Sequence, residues 1–199
     1  MAIAKRKKRF FNVEMPLIRK ETQLQAYEVK ELGNRFIKYD LTRILKGKSA
    51  ILTFKTRVDG DEVHVLPMEI RILPYYLRRM VRRGTNYVED SFSTEGKFSQ
   101  VRIKPFLVTR RKVSRAVRKA IRNKAKEELV SWAKDLTDEK MFDEVMKGKI
   151  QKELSLKLKK IYPLSLCEIR VLKVEKEIVP AKQKASEKEK TLETEEKKG

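Results

Sequence analysis

The sequence predicts an α+β protein, and three observations lead there. Ala50, Leu52, Phe54, Thr56 and Val58 alternate with Ile51, Thr53, Lys55 and Arg57, the period of a half-buried strand, and Asp59-Gly60 then turns the chain into a return strand. After Thr109 the period changes: Val113, Val117, Ala120, Ile121, Ala125, Leu129 and Trp132 recur at helical spacings. Beyond Pro163, Leu164–Val174 reads LSLCEIRVLKV, a last strand. Strands first and helices later describe an antiparallel sheet with helices gathered on it.

Taken in order, residues 1–9 are a basic arm, which has few ways to fold without a charged partner. Phe10–Met15, Gln23–Glu31 and Arg35–Leu41 are short β-favouring stretches separated by Pro16 and Gly33-Asn34. The return strand runs from Glu62 to Leu73. Its apolar parity switches from odd (Val63, Val65) to even (Met68, Ile70, Ile72) across Leu66-Pro67, which predicts a bulge and an edge or bent strand. Pro74 opens a short basic helix at 75–83 that Gly84 can cap. A hairpin follows: Asn86–Ser93, a Glu95-Gly96 turn, then Lys97–Thr109. The basic helix begins at Arg110. A second helix runs from about Asp138 to Lys160, with Asp138 and Glu139 favouring its dipole and Pro163 ending it. The expected organisation is an arm (1–9), a mainly antiparallel β domain (10–109), a helical region with a C-terminal strand (110–179) and a disordered charged tail (180–199).

Charge narrows the function. Lys and Arg number 49 against 28 Asp and Glu, a formal net of +21 in 199 residues. The tail from Pro180 is nearly neutral, so the excess belongs to the folded part. A surface this basic repels itself unless a polyanion neutralises it, and nucleic acid is the common intracellular polyanion. At 40% hydrophobic the chain can bury a core, and no run approaches the roughly 18 apolar residues of a membrane span. The basic N-terminus lacks the apolar run of a secretory signal. A single cysteine excludes an internal disulfide framework and fits a reducing cytosol.

Three clusters are the candidate RNA-binding residues: Lys5, Arg6, Lys7, Lys8 and Arg9 in the arm; Arg78, Arg79, Arg82 and Arg83 in RRMVRR; and Arg110, Arg111, Lys112, Arg115, Arg118, Lys119, Arg122 and Lys126. Placed at 100° intervals, Val113, Ala116, Val117, Ala120 and Ile121 share one side of the last stretch, and Arg115, Arg118, Lys119, Arg122 and Lys126 the other. A solvated helix mixes Lys with Glu four residues apart, whereas Arg110–Lys126 has nine basic residues and no acidic one. Five of the nine are Arg, whose planar fork bridges phosphate oxygens. A tyrosine beside RRMVRR adds a surface on which a base can stack.

Catalysis finds no support. Gly47-Lys48-Ser49 lacks the earlier glycine of a phosphate loop and precedes a strand. With one histidine, His64, and one cysteine, Cys167, no zinc set forms, and His64 lies mid-strand without a nucleophile elbow. Asp40, Asp59, Asp61 and Glu62 supply carboxylates, three of them at a hairpin turn, where such residues are routine. Trp132 and Cys167 read as core. No catalytic residue, metal, cofactor, small-molecule substrate or membrane is expected. The rivals are a sequence-nonspecific, chromatin-type nucleic-acid binder and, far behind, a metal-dependent nuclease using Asp59, Asp61 or Glu62.

The order of motifs resembles one family. Val81-Arg82-Arg83-Gly84-Thr85, Thr109-Arg110-Arg111 with Arg118-Lys119-Ala120-Ile121-Arg122, and Lys159-Lys160-Ile161-Tyr162-Pro163-Leu164 are similar to co-linear segments of the archaeal and eukaryotic small-subunit ribosomal proteins called eS-one, or S-three-Ae. The resemblance covers roughly residues 9–175. It implies an antiparallel β-barrel-like sheet followed by helices and a C-terminal strand. It also implies a structural, non-enzymatic role on the platform of the small subunit, near the 3′ end of its rRNA and the messenger RNA exit. The partners would be small-subunit rRNA, neighbouring ribosomal proteins and messenger RNA near that exit, in the cytoplasm. Short length favours an archaeal-type member.

Overall fold

The computed structural model describes residues 7–60 and 62–177. Lys5, Arg6, Asp61 and the 180–199 tail lie outside the described residues. The chain opens with a two-stranded antiparallel pair, β1 (Arg9–Met15) and β2 (Lys20–Ala26). Arg19, at φ 51, turns between them. The β-favouring stretch at 23–31 is a strand only as far as Ala26, and a 3-10 turn occupies Val29–Leu32.

The main sheet has seven strands: β3 (Phe36–Asp40), β4 (Ala50–Asp59), β5 (Glu62–Ile72), β6 (Tyr87–Glu89), β7 (Phe92–Glu95), β8 (Ser99–Thr109) and β9 (Leu164–Glu177). Its order is β3-β4-β5-β9-β8-β6, all antiparallel, with β7 continuing beside β8 where β6 leaves off. A closed barrel is not seen, because β3 and β6 end the path as short, separate edges. The C-terminal strand therefore does not sit outside the first sheet but joins its halves, pairing with β5 over Glu69–Arg71 and with the whole of β8.

The parity switch in the return strand is a bulge: Thr53 pairs with Glu69 but Phe54 with Pro67, leaving Met68 as the extra residue. β5 is an interior strand where it meets β9 and has only β4 as ladder partner from Glu62 to Met68, so Pro67 falls on its free-sided half.

Alternation on β4 buries Ala50, Leu52, Phe54 and Thr56 on one face. That face, continued by Ile70, Ile72, Val101, Ile103, Leu172 and Val174, carries the core. Three helices cover it: α2 (Arg115–Asp135), α3 (Asp138–Lys147) and α4 (Lys149–Leu158). The expected second helix is two. Gly148, at φ 70, closes α3 by donating its N–H towards Glu144 O and Val145 O, and this left-handed step ends the straight run. Splitting lets Met141, Phe142 and Val145 bury from one axis and Ile150, Leu154 and Leu158 from another.

α1 (Pro74–Met80) ends earlier than the pattern implied. Val81 is extended, so Arg82 and Arg83 leave the helix, and Gly84 (φ 82) turns the chain instead of capping. Among the described residues no helix is long and apolar enough to cross a membrane.

Candidate nucleic-acid interface

The candidate interface is built around a joint between two loops. Asn86 follows the Arg82–Thr85 turn, which is closed by Thr85 Oγ1 donating to Arg82 O at 2.7 Å. Asn86 Oδ1 accepts the Val113 N–H at 2.8 Å, and Thr109 donates its own N–H to Asn86 O at 2.9 Å. Thr109 Oγ1 accepts the Asn86 N–H at 3.1 Å and lies 2.7 Å from Arg111 O. These bonds commit the backbone of 109–113 to the 86 turn and not to a helix. Arg110, Arg111 and Lys112 therefore form an exposed link before α2, which starts one residue after its N-cap, Ser114, whose Oγ accepts Val117 N–H at 3.4 Å. The joint ties Arg82-Arg83 to Arg110-Arg111-Lys112, clusters nearly thirty residues apart in the chain.

On α2 the buried residues are Ile121, Ala125, Leu129 and Ala133, spaced by four. A four-residue step advances 40° around a helix, so this stripe drifts and the outward face differs from the even division that the sequence suggested. Arg115, Lys119, Arg122 and Lys126 are exposed, as expected. Ala116 and Ala120 are exposed too, leaving low ground among the cations. Arg118 lies on the core side, three residues before Ile121, half-buried, with its Nε enclosed and unpartnered.

Among the described residues, no ion pair involves Arg78, Arg79, Arg82, Arg83, Arg110, Arg111, Lys112, Arg115, Arg118, Lys119, Arg122 or Lys126. The first turn of α2 holds no acidic residue, so Arg115 faces the positive end of the helix dipole without relief. The next turns differ. Lys124 Nζ lies 3.4 Å from Glu127 and 3.3 Å from Glu128, and Lys157 of α4 reaches Glu128 at 2.6 Å. The Lys157 hydrogen bond holds the Glu128 carboxyl below its ordinary pKa, and Glu128 raises that of Lys124.

The arm stands apart. Lys7 and Lys8 are exposed, Arg9 starts β1, and Lys8 Nζ sits 5.6 Å from the Tyr27 ring centre. β1 packs beside the β4–β5 hairpin, where Phe11, Asn12 and Glu14 share a cleft with Arg57 and Glu62. That is the end of the sheet opposite Thr109, and β8 alone spans about 33 Å between the two ends. The fold joins two of the three clusters.

The remaining polar residues have structural partners. His64 is exposed on its strand, 3.6 Å from Glu62. Trp132 donates from its indole to Glu144 at 2.7 Å. Burial, followed by the neighbouring Glu168, pushes the Cys167 thiol up to about 12 and keeps it an inert apolar filler. Gly47-Lys48-Ser49 ends a turn before β4, where Lys48 pairs with Glu168 at 2.6 Å. Among the described residues no three His, Cys, Asp or Glu side chains gather to hold a metal. Sequence reasoning missed Asn86, Thr109 and Ser114. Of these only Ser114, a capping residue just ahead of the helical period, left a readable signal.

Comparison with known proteins identifies relatives of the chain. The chain is similar to the small ribosomal subunit protein eS1 of Nanoarchaeum equitans, 27% identical over 174 residues covering 83% of this chain and 87% of that protein. The eS1 protein of Saccharolobus islandicus is 29% identical over 175 residues, 84% of each chain. That of Halorubrum lacusprofundi is 33% identical over 127 residues, 62% of this chain and 59% of its own. The Ribosomal S3Ae family matches residues 4–178, and the chain belongs to that family.

Proposed function

We propose that this protein is a structural constituent of the small ribosomal subunit in the cytoplasm. It binds small-subunit rRNA through the surface formed by Arg78, Arg79, Arg82, Arg83, Arg110, Arg111, Lys112, Arg115, Arg118, Lys119, Arg122 and Lys126. The arm, Lys5–Arg9, makes a separate contact. The place is the platform, near the rRNA 3′ end and the messenger RNA exit, beside other ribosomal proteins. The family is one of structural proteins and not of enzymes.

One observation supports the RNA reading above the others: two cation clusters remote in sequence are held together by part-buried hydrogen bonds through the Asn86 and Thr109 side chains, and none of their cationic side chains has an acidic partner among the described residues. Unpaired like charges repel, and the arrangement becomes favourable when phosphates occupy it and condensed counterions leave. The rigid sheet and helices contribute the spacing of the charges, and folded RNA shape supplies the match.

Sedimentation of a native cell extract through sucrose gradients, at moderate and then high salt, tests this. Retention with the small subunit through the salt wash is expected. Migration at the top of the gradient at every salt contradicts the reading and leaves a chromatin-type nucleic-acid binder.

A further inference from the structure

Between α1 and the outer face of the sheet lies a cleft of about 420 Å³ whose apolar floor the phosphate-binding reading does not use. Its floor is apolar: Leu77 of α1, Phe106 of β8 and Tyr87 of β6. Tyr87 stacks on Phe106 with ring centres 5.9 Å apart and planes 20° from parallel, yet it is 55% exposed, so its opposite ring face is open. β6 is the edge of the sheet, which leaves that side accessible. The rim is polar. Glu89 projects from the same side of β6, steadied by Arg170 Nη1 at 3.3 and 3.4 Å. Arg78 stands at the opposite lip, and Arg79, Arg82 and Arg83 follow it along the chain.

An aromatic face, a carboxylate acceptor and neighbouring arginines match a ligand with a flat π surface, amino donors and attached phosphates. A bare phosphate has no use for the apolar floor. An aliphatic peptide side chain has none for the carboxylate or the arginines. We propose that this cleft takes one unstacked RNA nucleobase. The base stacks on the open face of Tyr87, its exocyclic amino group donates to Glu89, and its flanking phosphates lie on Arg78 and Arg79. The site rests on the RNA-binding reading and adds to it a contact with a base, where the α2 surface engages backbone. Bases that carry an amino group are favoured over uracil, which presents none to the carboxylate.

The test uses the full chain and two RNA hairpins of equal length, one with a single bulged aminopurine, whose fluorescence falls on stacking, and one fully paired. Wild type should bind the bulged hairpin about tenfold more tightly and quench it. Tyr87→Leu should erase the preference and the quenching while binding the paired hairpin as before. Tyr87→Phe should retain both, which separates lost stacking from lost folding. Glu89→Gln should narrow the margin of an aminopurine bulge over a uridine bulge. Equal wild-type affinity for both hairpins, or an equal loss on both in Tyr87→Leu, overturns the base site and leaves the cleft to a protein side chain. Failure of wild type to bind either hairpin overturns the RNA reading as well.

Discussion

The two ends of α2 are built on opposite terms. From Arg115 to Arg122 the exposed face is cationic, lacks an acidic partner and meets the unfavourable end of the helix dipole. From Lys124 onward the same helix carries Glu127 and Glu128, pairs across to Lys157 of α4 and anchors Trp132 on Glu144. The second half is arranged for stability in the free protein. The first half is arranged against it, and this conflict between local stability and sequence is what the proposed phosphate surface accounts for.

That contrast can be broken first where the effect is largest. Leu129 is fully buried in the second half, and Leu129→Ala should cost about 2–5 kcal/mol and lower the melting temperature sharply, read by calorimetry. The exposed cations of the first half should behave the other way. Reversing Arg115 to Glu should stabilise the free protein by about 0.5 kcal/mol while RNA affinity falls, a pairing of results that a plain solvated face does not give.

Arg118 lies in the cationic half yet on the core side of the helix. Its Nε is enclosed beside the core stripe, so Arg118→Glu should destabilise by burying an unpaired carboxylate, and Arg118→Met should fold normally, as thermal melts of the two will show. The smallest effect is expected from Glu128→Gln, at less than about 1 kcal/mol, since the lost pairs are near the surface. Its sign with pH is fixed. The folded carboxyl is held below the ordinary value of 4.5, so its contribution is complete above that pH and is lost as the pH falls through the lowered value. A pH series of melts should therefore find the wild type and Glu128→Gln converging in acid and separate at neutrality.

Legibility followed the range of the interactions. The β4–β5 hairpin, its bulge near Leu66-Pro67 and the basic character of α2 were readable because period and turn residues are local signals. The split at Gly148 left a signal too, a lone glycine inside a helical run, but the apolar pattern continues across it and hides the break. Two features left none. β9 enters between β5 and β8 from more than fifty residues beyond Thr109, and alternation on a strand does not name its neighbours. Asn86, whose side chain joins the cation clusters, looks in sequence like any turn residue. The charges were countable from the chain, whereas their convergence, and the separation of the arm from it, needed the fold.

The unpaired half of α2 is the surface proposed to hold phosphates. The most direct measurement is the salt dependence of binding to a small-subunit rRNA fragment from the 3′ region, for wild type and for Arg115→Ala, Lys119→Ala and Arg122→Ala combined. Weaker binding and a slope of log affinity against log salt shallower by about three are expected, with the melting temperature retained. An unchanged slope in a folded triple variant would contradict that proposal.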